Sequence, residues 1–180
     1  GRAFLKLAVM EPTLEVVAIN DLADIENIAY LMKYDSAYGR SDLDVKAEKG
    51  PVGADGKSAG GNLIINGQTV KYLSEKDPAV LPWKDLGVDI VLESTGLFTQ
   101  VDKANAHIVA GAKRVVVSAP TKDDPAGAVA GATVLMGINQ PALSTCAITS
   151  NASCTTNAAS PVISILHEKF FIFDYECIQL

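Results

Sequence analysis

The stretch 150-SNASCTTN-157 gathers the most reactive group of the chain into eight small, polar residues. Cys154 stands inside it, with Ser153, Thr155 and Thr156 alongside. A thiol attacks as its thiolate, and the positive end of a helix stabilises a thiolate. The next run, 158-AASPVISILHEKF-170, places Val162, Ile163, Ile165 and Leu166 on a helical stripe. The hydroxyls of Ser153, Thr155 and Thr156, together with neighbouring backbone N–H groups, suit a phosphate or an oxyanion. Pro161 leaves two layouts open. It starts a helix after an N-cap at Ser160, or it interrupts one that began near Cys154. Only the second gives Cys154 the full helix dipole. A further reading makes Cys154 a small core residue with no chemistry.

Other polar residues fall where apolar runs end. Asp21 follows 14-LEVVAIN-20, a continuously apolar, β-branched run of the kind covered on both faces. Ser94, Thr95 and Gly96 follow 88-VDIVLES-94, and Ser118 to Pro120 close 113-KRVVVSAP-120. In a dinucleotide-binding unit the last glycine of GxGxxG opens the first helix. An acidic residue about 20 positions later, at the end of the second strand, holds the ribose hydroxyls. Gly1, the helical run 3–10, the strand 14–20 and Asp21 have that layout. An ordinary strand–helix unit would have it too. The 93-ESTGLFT-99 turn equally suits a plain helix cap, and Lys76 a solvated surface charge.

The elements that must hold these residues alternate. Helices are expected over 3–10, 25–33 and 101–112, and strands over 14–20, 88–94, 113–120, 133–138 and 146–150. Residues 39–61 read as a loop-rich excursion, and 62-NLIINGQTVKYLSE-75 as a hairpin around Asn66-Gly67. Alternation with apolar strands implies an α/β fold with a doubly wound, mostly parallel sheet. Ligands then sit at the carboxyl ends of the strands, here Asn20-Asp21, Glu93 to Gly96, Ser118 to Pro120 and the segment after Ser150. These four ends are expected to line one cleft.

The 180 residues carry a net charge of −6 without a long run of one sign, which argues against a nucleic-acid surface. No apolar stretch reaches the length of a membrane span. Cys146, Cys154 and Cys177 make no CxxC pair and no metal-ligand spacing, so no metal is expected and a reducing compartment, the cytoplasm, is. His167 lies 13 residues beyond Cys154, about 20 Å along a helix, and is a poor base for it. His107 is a question for the structure.

Five segments in order carry a resemblance: VVAIND, LMKYDSAYGR, VDIVLESTGLFT, AGAKRVVVSAPTKDD and SNASCTTN. The chain resembles phosphorylating glyceraldehyde-3-phosphate dehydrogenase over about residues 1–170. The resemblance implies a Rossmann-type NAD-binding domain over 1–150, lacking its first strand, and the start of a catalytic domain over 151–180. It implies NAD as cofactor, and glyceraldehyde 3-phosphate and inorganic phosphate as substrates, in a glycolytic reaction run by homotetramers. Cys154 would form a thiohemiacetal and then a thioester that phosphate releases as 1,3-bisphosphoglycerate. Ser153 and Thr155 would serve the substrate and phosphate. Gly1, Arg2, Asn20, Asp21, Lys76, Thr95, Gly96 and Ser118 would serve the cofactor. Asp21 favours NAD over NADP, because a 2′-phosphate would meet a carboxylate.

The sequence also departs from that pattern. The first strand and most of the glycine turn are expected upstream of Gly1. The family's general-base histidine, about 27 residues after the nucleophile, falls beyond the last residue. The tail 171-FIFDYECIQL-180 does not match. Little or no turnover is therefore expected of this chain, an incomplete dehydrogenase, and the alternative is a non-catalytic NAD-binding or interaction module.

Overall fold

The computed structural model describes residues 1–51, 60–124 and 126–170. They form two compact units, Gly1–Val88 and Asp89–Leu180.

The first unit contains α1 (Arg2–Ala8), β1 (Ala18–Asn20), α2 (Ile25–Lys33), β2 (Tyr34–Asp35), β3 (Gly39–Arg40), β4 (Val45–Lys49), β5 (Gly61–Ile65) and β6 (Gln68–Leu73). Its main sheet runs β1-β6-β5-β4. β1 pairs parallel with β6, while β4, β5 and β6 form an antiparallel meander. The expected hairpin turns at Asn66 and Gly67, whose φ values of 51° and 83° match the twist of the flanking strands. α2 starts where Asp24 accepts the Glu26 N–H at 2.9 Å. Its face of Ile25, Ile28 and Met32 packs with Leu5, Leu43, Leu63, Ile65, Val70 and Tyr72 in one apolar core. Fully burying a side chain of this size contributes about 1.5–3 kcal/mol.

The second unit contains β7 (Ile90–Glu93), α3 (Val101–Val109), β8 (Arg114–Val117), β9 (Gly131–Thr133), β10 (Ile148–Ser150) and α4 (Cys154–Phe170). Its sheet, β7-β8-β10-β9, is parallel throughout. Val115, Val117 and Ile148 of the sheet bury against Val101 and Ala104 of α3. Carboxyl ends of parallel strands share one edge, which is where the reactive residues are found.

Several elements differ from the sequence expectation. The strand expected over 14–20 is confined to its last three residues. The excursion over 39–61 holds a strand, β4, stabilised by its pairing with β5 rather than by its own propensity. The strand expected over 133–138 lies earlier, at 131–133. Asn139 explains the stop: its Nδ2 donates to the Thr133 carbonyl and its Oδ1 accepts from the Leu135 N–H. That amide turns the chain where Val134 and Leu135 would otherwise have extended the strand. α4 settles the question of Pro161. The helix begins at Cys154 and carries Pro161 inside it, so the second of the two layouts is the one adopted.

Candidate functional site

In the second unit the carboxyl edge of the parallel sheet is built strand by strand. β7 ends at Glu93, and the chain turns through Ser94, Thr95, Gly96 and Leu97, all exposed. Gly96 has φ 77°, a conformation that side chains avoid, and the position of a Cβ there meets nothing within 4 Å. Glycine is therefore needed for the backbone shape, and it leaves the turn open to an approaching molecule. Beside it β8 ends and Ser118 follows, exposed, its N–H donating to the Glu93 carbonyl at 2.8 Å.

β10 ends at Ser150, which is buried. The Ser150 hydroxyl donates to the Ala119 carbonyl at 2.6 Å and accepts the Ala152 N–H at 3.0 Å. This one side chain ties the strand end to the loop beside it and to the turn leading to Cys154. Ala152 has φ 63°, left-handed for a residue with a Cβ. Such conformations cost about 1–3 kcal/mol and gather at functional sites.

Cys154 is the first residue of α4, a helix of 17 residues, and it is exposed. The Ser153 hydroxyl caps that helix by accepting the Thr156 N–H at 3.0 Å. It also lies 2.8 Å from the Thr155 hydroxyl and 2.7 Å from that of Thr156. Asn157 Nδ2 donates to the carbonyls of Asn151 and Ser153 at 2.7 and 2.9 Å, bracing the turn from behind. A thiol, three linked hydroxyls and the positive end of a helix thus stand together. They can hold a nucleophile and an anion side by side.

The two histidines are accounted for. His107 Nε2 lies 3.0 Å from Glu93 Oε2, deep in α3 and β7. His167 sits near the far end of α4. His107 is thus engaged by a buried carboxylate, and His167 stands 13 residues along the helix from Cys154.

In the first unit, Asp21 follows β1, its N–H donating to the Leu73 carbonyl and its Oδ1 accepting from the Ala23 N–H. Tyr72 fixes the same loop by donating its hydroxyl to the Ala23 carbonyl at 2.8 Å. Burial pushes that phenol well above its usual range, and the carboxylates of Asp21 and Asp24 add to the effect. Asn20 is committed elsewhere: its side-chain amide makes two 2.9 Å bonds with the Glu75 backbone. Lys76, next along, is exposed.

The model of the family described as "Glyceraldehyde 3-phosphate dehydrogenase, NAD binding domain" matches residues 1–101. The glyceraldehyde-3-phosphate dehydrogenase of Geobacillus stearothermophilus is 42% identical over 174 residues, covering 96% of this chain and 47% of that protein. The chain belongs to the glyceraldehyde-3-phosphate dehydrogenase family. The cytosolic enzyme of Leishmania mexicana is 42% identical over 97% of the chain, and that of Clostridium acetobutylicum 43% over 96%. The chain spans about half the length of these relatives, 47% in each case. The fold is the Rossmann-type α/β arrangement of that family's NAD-binding domain, and the cofactor of the domain is NAD. Among the described residues no helix is long and apolar enough to cross a membrane, and no cluster suits a metal ion.

Sequence reasoning gave Ser150 and Asn157 no role of their own, named Glu93 only as a strand end and left His107 open; all four shape this edge. Glu93 carried a signal in retrospect: a carboxylate at the end of an apolar strand must find donors when the fold covers it. Cys177 and the tail from 171 lie outside the described residues.

Proposed function

We propose that the chain supplies the NAD-binding and thiol-bearing part of a phosphorylating glyceraldehyde-3-phosphate dehydrogenase. Residues 1–150 form the cofactor domain and the catalytic domain starts at 151. The observation that carries the proposal is the placement of Cys154: exposed, first in a 17-residue helix, at the carboxyl edge of an all-parallel sheet. Thr95, Gly96 and Ser118 follow neighbouring strands of that sheet and belong to the same edge.

Those residues fit a dinucleotide. The 94–97 turn presents open backbone at Gly96, and Asp21 offers a carboxylate acceptor for a ribose diol at the end of β1. The same carboxylate would repel a 2′-phosphate, so NAD is the preferred form. Gly1, Arg2 and Lys76 are assigned to its phosphates and adenine end, and Asn20 contributes by shaping the loop beside Asp21. Bound NAD supplies a hydride acceptor.

Cys154 adds through Sγ to the aldehyde carbon of glyceraldehyde 3-phosphate. The oxygen that becomes negative faces the helix N-terminus. Ser153 and Thr155 orient the substrate phosphate or the incoming inorganic phosphate. The scheme also needs a base to take the thiol proton, a role we assign to neither His107, engaged by Glu93, nor His167, far along α4. The alternative reading, a non-catalytic NAD-binding module, shares the dinucleotide-binding part of this assignment. A homotetramer in the cytoplasm is the assembly and location we assign to the working enzyme.

Calorimetric titration with NAD and NADP, with competitive iodoacetamide labelling read by mass spectrometry, tests this reading. NAD binding in preference to NADP, with Cys154 labelled faster than Cys146 and Cys177, is the expected result. No binding of either nucleotide, with Cys154 no faster than the other two, overturns it.

A further inference from the structure

Glu93 and His107 form a buried ionisable pair that takes no part in the chemistry assigned to Cys154. Each is only 4% exposed. Glu93 is the last residue of β7, and His107 lies in the last turn of α3. Glu93 Oε2 meets His107 Nε2 at 3.0 Å. Glu93 Oε1 accepts both the Thr95 N–H at 2.6 Å and the Thr95 hydroxyl at 2.5 Å. The Thr95 hydroxyl in turn accepts the Leu97 N–H at 3.1 Å. The Phe98 ring stands edge-on to the imidazole, with centroids 6.4 Å apart.

Burial pushes the Glu93 carboxyl upward, but the hydrogen bonds from His107 and Thr95 outweigh it and hold the group below its usual range. An ionised carboxylate can only accept, so His107 Nε2 carries the hydrogen. Such a pair is a poor device for stabilising a sheet, since apolar side chains of equal volume serve as well or better. What it provides is direction. Apart from the imidazole, everything the carboxylate holds belongs to the exposed 94–97 turn.

We propose that Glu93 and His107 are positioning residues for the dinucleotide: the imidazole fixes the carboxylate, and the carboxylate fixes the Thr95–Gly96 backbone that meets the ligand. The proposal rests on the assignment of Thr95 and Gly96 to the cofactor site. His107 is then two steps removed from NAD and governs its affinity through an acceptor already in place. A polar side chain that offers an N–H near the Nε2 position should substitute for it, and an apolar one should not.

The test uses the 180-residue chain and NAD as the probe, with His107→Leu and His107→Gln as variants. Amide hydrogen exchange monitors the turn and the sheet. The expected result for His107→Leu is NAD affinity weakened by about tenfold, with faster exchange at Thr95 and Leu97 and unchanged protection in β8 and β10. His107→Gln, which keeps the donor, should recover most of that loss. Equal NAD affinity in the wild type and His107→Leu overturns the positioning role and leaves the proposed function standing. No NAD binding by the wild type overturns both. Should both His107 variants lose protection throughout the sheet, Thr95→Val decides. It removes the hydroxyl link and leaves the buried pair, and it should still weaken NAD by about tenfold; unchanged affinity overturns the proposal.

Discussion

The two units bury different things. In the first, the covered side chains among the described residues are hydrophobic, Tyr72 and Trp83 included, and the Tyr72 hydroxyl is spent on fixing the loop after Asp21. In the second, Glu93, His107, Thr149, Ser150 and Ser160 are all buried. Two of them, Glu93 and Ser150, are bonded to turns at the carboxyl edge of the parallel sheet, and His107 is bonded to Glu93. The first unit is thus built as a scaffold that presents one carboxylate, Asp21. The second places costly polar groups inside so that backbone outside is held still. A buried polar network is tolerated where its members are satisfied, and it then specifies one arrangement.

The contrast is broken most severely by removing the buried carboxylate. Glu93→Ala leaves the imidazole and the Thr95 donors without their acceptor, and should destabilise the second unit by about 4 kcal/mol. Hydrogen exchange in β7, β8 and β10 reads that loss. In the first unit, Leu63→Ala opens a cavity at a fully buried position and should cost about 3 kcal/mol. Trp83, the only tryptophan and itself buried in that unit, reports it by fluorescence in denaturant. If Leu63→Ala slowed nothing and cost nothing while Glu93→Ala did, the picture of an apolar scaffold would be wrong.

Acid sharpens the comparison. Because the Glu93 carboxyl is held below its ordinary value, its stabilising effect is complete above the unfolded carboxylate value and is lost as pH falls through the folded one. Protection at Thr95 should therefore fade only at acid pH. In Glu93→Gln this acid step should disappear from the pH profile. Gly96→Ala places a Cβ into open space but at φ 77°, so its cost is conformational, about 1 kcal/mol, read as a lowered denaturation midpoint. At the other extreme, Asp44 and Lys46 form an ion pair at 3.3 Å with both side chains mostly exposed. Lys46→Ala should leave the midpoint unchanged.

Much of this was legible in the residues. The apolar runs before Asp21, Ser94 and Ser118 carry strand signals that pairing only trimmed. Asn66-Gly67 announced its turn, because few other dipeptides accept two positive φ values. Cys154 was marked by its small polar neighbours and by the helical stripe after it. The remainder depended on partners distant in the chain. β4 exists because β5 lies beside it, and β9 stops because Asn139 reaches back six residues. The Glu93–His107 pair spans 14 residues and two elements, and no local pattern predicts that an acid and an imidazole will be buried together. Pro161 shows the same limit from the other side. Its preference for a first helical turn was overridden, and the helix begins one turn and more before it, at Cys154.

Mapping NAD onto the chain by amide chemical shifts tests the central claim most directly. The account predicts that titration with NAD shifts Thr95, Gly96 and Ser118 at the edge of the parallel sheet, together with Asp21 after β1, while β4 and β5 stay unmoved. Shifts confined to the β4–β5 meander, or none at saturating NAD, would contradict it.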